Sequence, residues 1–144
     1  MFNKILMGMT LLLSMSLNPN VVKADSLECL SLVVYHESRG QIKEDQIGVA
    51  HVVLNRVKSN RFPDDVCSVV YQRGQFSWVS DRHSNYPKEK KSWRQARRVA
   101  ERVLEGRYVD PTDGALYFYR HDIRTPRWAR NKPKLRIGNH LYVK

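Results

Sequence analysis

An apolar run near the N-terminus, Ile5 to Leu17, places the strongest constraint on what this 144-residue chain can fold into. A helix needs about 20 apolar residues to span a bilayer, so the run is short for a permanent membrane anchor. It follows the basic segment Met1–Lys4 and precedes Val22-Lys23-Ala24, which has the small residues that a signal peptidase reads. The pattern predicts a signal peptide over residues 1–24 and one domain over residues 25–144. An uncleaved anchor or a buried N-terminal helix is the alternative.

The net charge belongs to the predicted domain. The chain has 25 Lys+Arg against 14 Asp+Glu, a formal charge of +11, and loss of the leader removes two lysines and no acid. With 42% hydrophobic residues, the composition is that of a folded domain and not of a disordered basic tail. For an exported protein, the charge indicates anionic envelope components, and no nucleic-acid partner is expected. We expect a periplasmic or cell-wall-associated protein.

The cysteines and histidines limit the chemistry. Two cysteines cannot form a four-thiolate zinc site, and export favours a disulfide between Cys29 and Cys67, with two buried free thiols as the alternative. The five histidines show no paired metal-ligand spacing: His36, His51, His83, His121 and His140. No metal and no other cofactor is expected.

Apolar residues at helical spacing predict four helices. The helices cover Ser26 (the N-cap) to Gly40, about Asp45 to Lys58, Asp64–Tyr71, and Lys88 to Glu105. The outer side of the last helix, which we call the basic face, carries Lys88, Lys90, Lys91, Arg94, Arg97, Arg98 and Arg102. A solvated charged surface and a dedicated anion-binding surface are equally compatible with this pattern.

The rest of the chain predicts a loop and a small β-region. Arg73 to Pro87 is an aromatic-bearing loop without a sustained period, and Ala115–Tyr119 is a strand candidate. Leu135–Ile137 and His140–Val143 flank Gly138-Asn139 as a hairpin. Helices followed by a small β-region indicate a single α+β domain, mainly helical.

Glu37 is the residue that most needs an explanation. On a helical wheel it falls between Leu30 and Val33, on the apolar face of the first helix. Burial raises the pKa of a carboxylic acid, which is one way to make a general acid. A buried ion pair with Arg39 or Arg56 is the structural alternative.

Glycosidic cleavage commonly uses a second carboxylate as nucleophile or base. Six aspartates are candidates for that role: Asp45, Asp64, Asp65, Asp81, Asp113 and Asp122. Each also fits a cap, a turn or a surface position, and the sequence does not single out one of them.

Several ordered motifs carry a family resemblance. They are Tyr35–Gly40 (YHESRG), Val49–Val57 (VAHVVLNRV), Phe62-Pro63, Val69–Gln72, Gln75–Trp78, Gly114–Tyr119 and Ile137–His140. Together they resemble the SleB-type cell-wall hydrolases, named for the spore-cortex-lytic enzymes. The similarity extends from about Leu27 to Lys144.

The resemblance implies a lysozyme-like α+β fold and cleavage of peptidoglycan between N-acetylmuramic acid and N-acetylglucosamine. It further implies lytic transglycosylation, which leaves 1,6-anhydromuramic ends, with Glu37 in the place of the catalytic glutamate. A single carboxylic acid can serve both steps of that reaction. The family commonly has a second glutamate where this chain has Gln41, which would weaken the protein if that acid were essential.

Aromatic and amide side chains are candidates for binding the sugars: Gln72, Gln75, Phe76, Trp78, Tyr117 and Tyr119. Core packing is the alternative for Phe76 and the two tyrosines. Two other functions stay open, a hydrolytic muramidase in which a distant Asp activates water and a non-catalytic basic module that binds wall or membrane. Peptidoglycan is the expected partner, the basic face is a second contact to anionic envelope components, and a monomer is expected.

Overall fold

The structure is a computed structural model, which describes residues 19–80 and 85–144. The apolar run of the predicted signal peptide lies outside the described residues. Within the described ranges, every helix is too short or too polar to cross a membrane.

Four α-helices form the larger part of the domain, as predicted. They are α1 (Pro19–Ser38), α2 (Lys43–Lys58), α3 (Val66–Val70) and α4 (Lys90–Leu104). Two short 3-10 helices, Ser77–Ser80 and Arg127–Ala129, lie in the connecting segments.

The first helix begins earlier than predicted. It starts at Pro19, so Ser26 lies inside α1 and is not its N-cap. Proline is well tolerated in the first turn of a helix, and no residue between Pro19 and Ser26 breaks one. The predicted cleavage point after Ala24 falls within this helix, and the cleavage itself stays a prediction.

Three antiparallel strands form the predicted β-region. They are β1 (Tyr117–Arg120), β2 (Leu135–Ile137) and β3 (His140–Val143), in the order β1-β3-β2. The β2–β3 hairpin turns at Gly138, whose φ of +54° favours glycine. The first strand starts two residues later than predicted, because the Leu116 carbonyl accepts a hydrogen bond from Arg56 of α2.

The core forms around α1, which packs against α2, α3 and α4. Its fully buried aliphatic side chains come from three helices: Leu30, Val33, Val34, Val49, Val52, Val53, Val69 and Val70. The predicted disulfide is present and joins Cys29 of α1 to Cys67 of α3, with 5.4 Å between the Cα atoms. Chain entropy alone gives such a cross-link about 4 kcal/mol as an upper value.

The sheet approaches α2 closely at one point. A Cβ atom on Gly48 would lie 2.7 Å from the Tyr142 hydroxyl oxygen, so only glycine fits between α2 and β3. This contact holds β3 beside the N-terminal half of α2. Farther along α2, Arg56 donates a hydrogen bond to the Leu116 carbonyl oxygen, which brings β1 next to it.

Candidate active site

Glu37 lies in the last turn of α1 and faces a cavity of about 480 Å³. This volume is in the range of small-molecule sites, roughly 300–1,000 Å³. We call it the Glu37 cavity, and its lining is Glu37, Arg56, Gly74, Gln75, Phe76, Ser77, Ser80 and Phe118. Three separate parts of the chain, the helical layer, the loop after α3 and the first strand, therefore meet at one carboxyl group.

Trp78 fixes the position of the Glu37 carboxyl group. Its indole Nε1–H donates a hydrogen bond of 3.0 Å to Glu37 Oε1. The Trp78 ring stacks on His36, with 4.5 Å between centroids and 19° between planes. His36 in turn donates its Nε2–H to the Asn85 carbonyl oxygen at 2.8 Å. The residue before Glu37 thus supports the indole that holds Glu37.

Burial raises the pKa of Glu37 above the usual value for a glutamate. The hydrogen bond from Trp78 and the charges of His140 and Arg56 oppose this effect without cancelling it. Among the described residues, Glu37 has no ion pair within 4.0 Å, and Arg39 instead pairs with a glutamate of the α4 N-terminus, Glu89, at 3.1 Å. An ion pair of Glu37 with Arg39 or Arg56, the alternative named from the sequence, is therefore wrong.

Arg56 forms the inner wall of the cavity. Its side chain is only 4% exposed, and its Nε–H donates to the Leu116 carbonyl oxygen at 2.8 Å. The guanidinium lies 5.1 to 5.7 Å from the ring centres of Phe62, Phe76 and Tyr117. Its Nη1 has no hydrogen-bond partner among the described residues, and burial lowers the pKa of the group. Sequence reasoning considered Arg56 only as an ion-pair partner. The aromatic rings around it come from three separate segments of the chain, so no local pattern indicates that they meet at Arg56.

A second cavity, of about 380 Å³, lies on the other side of a shared wall. We call it the Trp128 cavity, and its lining is Arg56, Gln75, Tyr117, Phe118, Trp128 and Lys132. Three of these residues also line the Glu37 cavity: Arg56, Gln75 and Phe118. Sequence reasoning did not assign Trp128 or Lys132 to a site, because they lie in an irregular segment without periodicity.

The structure brings half of the predicted sugar-binding residues to the linings of these two cavities, and a fourth contacts Glu37. Gln75 and Phe76 line the Glu37 cavity, Trp78 bonds to Glu37, and Tyr117 lines the Trp128 cavity. Gln72 and Tyr119 line neither of them. Tyr119 is buried on the inner side of Trp128, with 5.7 Å between the rings, so it supports that side chain and is covered by it.

None of the described candidates for a second carboxylate lines the Glu37 cavity. Asp45 is buried against His140 and Tyr142, and Asp65 caps α3 by accepting from the Ser68 N–H at 2.8 Å. Exposed surface positions hold the others: Asp64, Asp113 and Asp122. Asp81 lies outside the described residues. Within those residues there is also no cluster of three His, Cys, Asp or Glu that could hold a metal ion.

The basic face is on the outer side of α4. Arg97 forms an ion pair with Glu28 at 2.8 Å, and Arg98 and Arg102 line a shallow cavity of about 370 Å³ together with Lys43 and Tyr108. Hydrogen bonding to Lys43 lowers the pKa of the Tyr108 hydroxyl. Two residues of the basic face, Arg98 and Arg102, therefore lie beside Lys43 at the start of α2.

A family model and several curated relatives match this chain. The family model described as Cell Wall Hydrolase matches residues 40–143, which begins just after Glu37. The spore cortex-lytic enzyme of Bacillus cereus is 33% identical over 128 residues, 88% of this chain and 47% of that protein. That of Halalkalibacterium halodurans is 33% identical over 119 residues, 82% of this chain and 34% of that protein. The chain thus spans about half or less of the length of these curated relatives.

Two solved structures have the same fold. The catalytic domain of the Bacillus cereus SleB protein has a TM-score of 0.71 and 31% identity, covering 84% of this chain and 91% of that one. The catalytic domain of the germination-specific lytic transglycosylase SleB from Bacillus anthracis has a TM-score of 0.69 and 31% identity, with coverages of 83% and 94%. The α+β, lysozyme-like fold and the resemblance drawn from the sequence motifs are therefore confirmed, and the chain belongs to the cell wall hydrolase family.

Proposed function

We propose that this protein cleaves the glycan strands of peptidoglycan between N-acetylmuramic acid and N-acetylglucosamine, as a lytic transglycosylase with Glu37 as its catalytic acid. The observation that carries the proposal is one half-buried carboxyl group, with a raised pKa, held by an indole N–H at the wall of an open cavity. The relatives whose names describe cortex-lytic and lytic transglycosylase proteins support the same reaction.

In the first step, protonated Glu37 donates its proton to the glycosidic oxygen. The bond between that oxygen and C1 of the muramic acid breaks, and N-acetylglucosamine leaves with a new hydroxyl group. A raised pKa keeps the proton on Glu37 at a higher pH than an exposed glutamate would allow. Trp78 holds the oxygen Oε1 in place, so the other carboxyl oxygen is free to face the substrate.

In the second step, the Glu37 carboxylate accepts the proton of the muramic C6 hydroxyl. The C6 oxygen attacks C1 as this proton leaves it, which closes the 1,6-anhydro ring. Glu37 is then protonated again and ready for the next cleavage. This step needs no second carboxylate and no activated water. It fits a cavity in which Glu37 is the one acidic side chain among the described residues of the lining.

The difference from the family pattern at Gln41 does not affect this scheme. Gln41 lies in the turn between α1 and α2, where its carbonyl oxygen accepts a hydrogen bond of 3.0 Å from the Gln46 side chain. It is not part of the lining of the Glu37 cavity. We infer that a glutamate at this position would be peripheral to the reaction.

The location follows from the same proposal. A signal peptide over residues 1–24 would export a protein whose substrate is outside the cell, where the Cys29–Cys67 disulfide is stable.

The basic face would then hold the protein near anionic wall or membrane components. Replacement of Arg94, Arg97, Arg98 and Arg102 by Gln should reduce sedimentation with cell walls at low salt, and unchanged sedimentation would contradict this part.

Mass spectrometry of the fragments released from purified peptidoglycan tests the reaction. We expect muropeptides that are lighter by one water than the products of hydrolysis, because the C6 hydroxyl replaces water as the attacking group. Products that carry that water would identify a hydrolytic muramidase. A matched control is Glu44→Gln, at an exposed glutamate of α2, which should release the same fragments as the unmodified protein. If the unmodified protein releases no fragments from any wall type, the chain is a binding module and not an enzyme.

A further inference from the structure

We propose that the Trp128 cavity is a second saccharide site, which binds a muramyl residue through its sugar ring and through a carboxylate of its substituent. This inference rests on the proposed function, since it names the part of the same glycan strand that lies beside the cleaved bond. The ligand class is an acidic amino sugar, as opposed to an uncharged N-acetylglucosamine unit.

Continuity with the Glu37 cavity is the first argument. The two cavities have Arg56, Gln75 and Phe118 as a common wall, so they are adjacent. A glycan strand is a linear chain of linked rings. One ring at Glu37 therefore places a neighbouring ring at or near Trp128.

The aromatic side chains are the second argument. Trp128 is 45% exposed although it is a large apolar residue, and the Tyr117 and Tyr119 rings lie 5.3 and 5.7 Å away on its inner side. An indole that is supported from within and open to solvent offers a rigid surface at little entropic cost. Exposed apolar surface of this kind marks binding sites, and aromatic rings stack on the apolar faces of sugars.

The charge of the lining is the third argument. The described part of this lining contains two basic side chains, Arg56 and Lys132, and no Asp or Glu. In the described part of the chain, neither lies within 4.0 Å of an Asp or Glu carboxylate. Lys132 donates one hydrogen bond to the Lys144 main-chain oxygen at 3.3 Å and has two further N–H groups. Two uncompensated cations favour an anionic ligand, and the anionic group of a muramyl residue is a carboxylate.

The carboxylate can come from two parts of the substituent, the lactyl group or the peptide stem. Lys132 is at the exposed rim and Arg56 is at the buried wall, so the two cations are at different depths of the same cavity. A carboxylate close to the sugar ring suits the inner position, and one farther along the stem suits the rim. The two sources can be distinguished with substrates that carry only one of them.

The experiment compares four soluble glycan substrates cleaved by the full chain. They are strands with peptide stems, strands whose stems an amidase has removed to leave free lactyl carboxylates, and each of these after conversion of the carboxylates to amides. We expect amidation to raise KM about tenfold, the size of one hydrogen bond to a charged group, with kcat changed less than twofold. The unamidated strand with the lower KM identifies the source of the carboxylate.

Lys132→Gln ties the effect to the cavity. This exposed side chain can be changed without disturbing the core, and the variant should raise KM severalfold on unamidated strands and leave it unchanged on amidated ones. Lys58→Gln, which removes the same charge from an exposed position at the end of α2, should behave like the unmodified protein. Trp128→Ala should raise KM on all four substrates, because stacking does not depend on the carboxylate. Equal KM values before and after amidation, or an equal response to the two lysine variants, would overturn the proposal.

A binding measurement separates this inference from the proposed function. Glu37→Gln protein is titrated calorimetrically with amidated and unamidated strands, with and without the Lys132→Gln change. Tighter binding of unamidated strands that depends on Lys132 supports the second site even if the unmodified protein cleaves nothing. Binding that ignores both the carboxylates and Lys132 overturns it even if cleavage is confirmed.

Discussion

Asp45 and Glu37 are both withdrawn from water, and their surroundings differ. Asp45, on α2, is fully buried and accepts hydrogen bonds from the His140 ring, the Tyr142 hydroxyl and the Asn139 main-chain N–H. Glu37, on α1, is only half-buried, and within residues 19–80 and 85–144 it accepts one hydrogen bond, from Trp78. The more deeply buried acid therefore has more partners than the less buried one.

The difference shows what separates a structural acid from a reactive one. At Asp45 the partners come from β3 and the turn before it, so the carboxylate ties the C-terminal hairpin to α2 and has no room for a ligand. Burial and the nearby Asp45 carboxylate raise the pKa of the Tyr142 hydroxyl, which therefore stays a donor. At Glu37, burial without matching partners raises the pKa, and an open cavity gives a substrate access.

The largest expected effect is the loss of cleavage in Glu37→Gln. Removing a general acid reduces kcat by about 10²- to 10⁴-fold, and the amide can still accept the Trp78 hydrogen bond, so the fold is retained. The free energy of unfolding of the variant should be higher than that of the unmodified protein at a pH above the Glu37 pKa. Because the folded-state pKa of Glu37 is raised, its ionisation disfavours the native state as pH rises through that pKa.

Stability measured by urea denaturation over a pH series checks this second part. The variant should gain stability relative to the unmodified protein as pH increases through the Glu37 pKa, and the difference should vanish at acid pH. Retained cleavage, or a variant that is least stable at high pH, would contradict the assignment of Glu37 as a buried catalytic acid.

Asp45→Asn should give the reverse pattern, a loss of stability with little direct effect on the reaction. An amide at this position turns an N–H₂ group toward donors, so we expect a loss of about 3 kcal/mol in the free energy of unfolding.

Gly138→Ala should also be destabilising, by about 2 kcal/mol, because its Cβ would lie 2.8 Å from Asp45 Oδ2 at a positive φ. Gly106→Ala has a similar φ of +71° and open space, so it measures the backbone penalty alone.

Thermal unfolding and cleavage at a temperature where the variants are folded separate the two roles. An Asp45→Asn protein that is fully stable but inactive would place Asp45 in the reaction. It would then have to act from a position where His140 and Tyr142 cover it.

The smallest expected effect is a shift of the pH profile in Trp78→Phe. Loss of the indole N–H removes an interaction that lowers the Glu37 pKa, so that pKa should rise further. The alkaline limb of kcat/KM, where the general acid loses its proton, should move to higher pH, and kcat should fall by less than about tenfold. Trp93→Phe, at an indole packed beside Tyr35, is the control and should leave the limb in place. A limb that is unchanged in Trp78→Phe would show that the bond does not influence the acid.

Much of this fold could be predicted from local patterns, and the errors occurred where local patterns compete. Helical spacing identified four helices, and Gly138-Asn139 identified the hairpin. Ser26 was assigned as a cap because serine favours that position, whereas nothing between Pro19 and Ser26 stops the helix. Tyr119 shares the strand face of Tyr117, but it is buried against Trp128, and that depends on where the irregular segment around Trp128 packs.

The amino-acid sequence by itself determined the helical stripes, the single cysteine pair, the surplus of positive charge and the position of Glu37 on an apolar face. These are properties of short segments or of simple counts. Only the tertiary structure decided that Glu37 has an indole and not an arginine as its partner, that Asp45 is enclosed, and that Arg56 and Trp128 share a wall. Hydrogen bonding and burial at those positions join residues between 41 and 97 positions apart. No local pattern encodes such contacts, because they form only when α1, α2 and the sheet pack together.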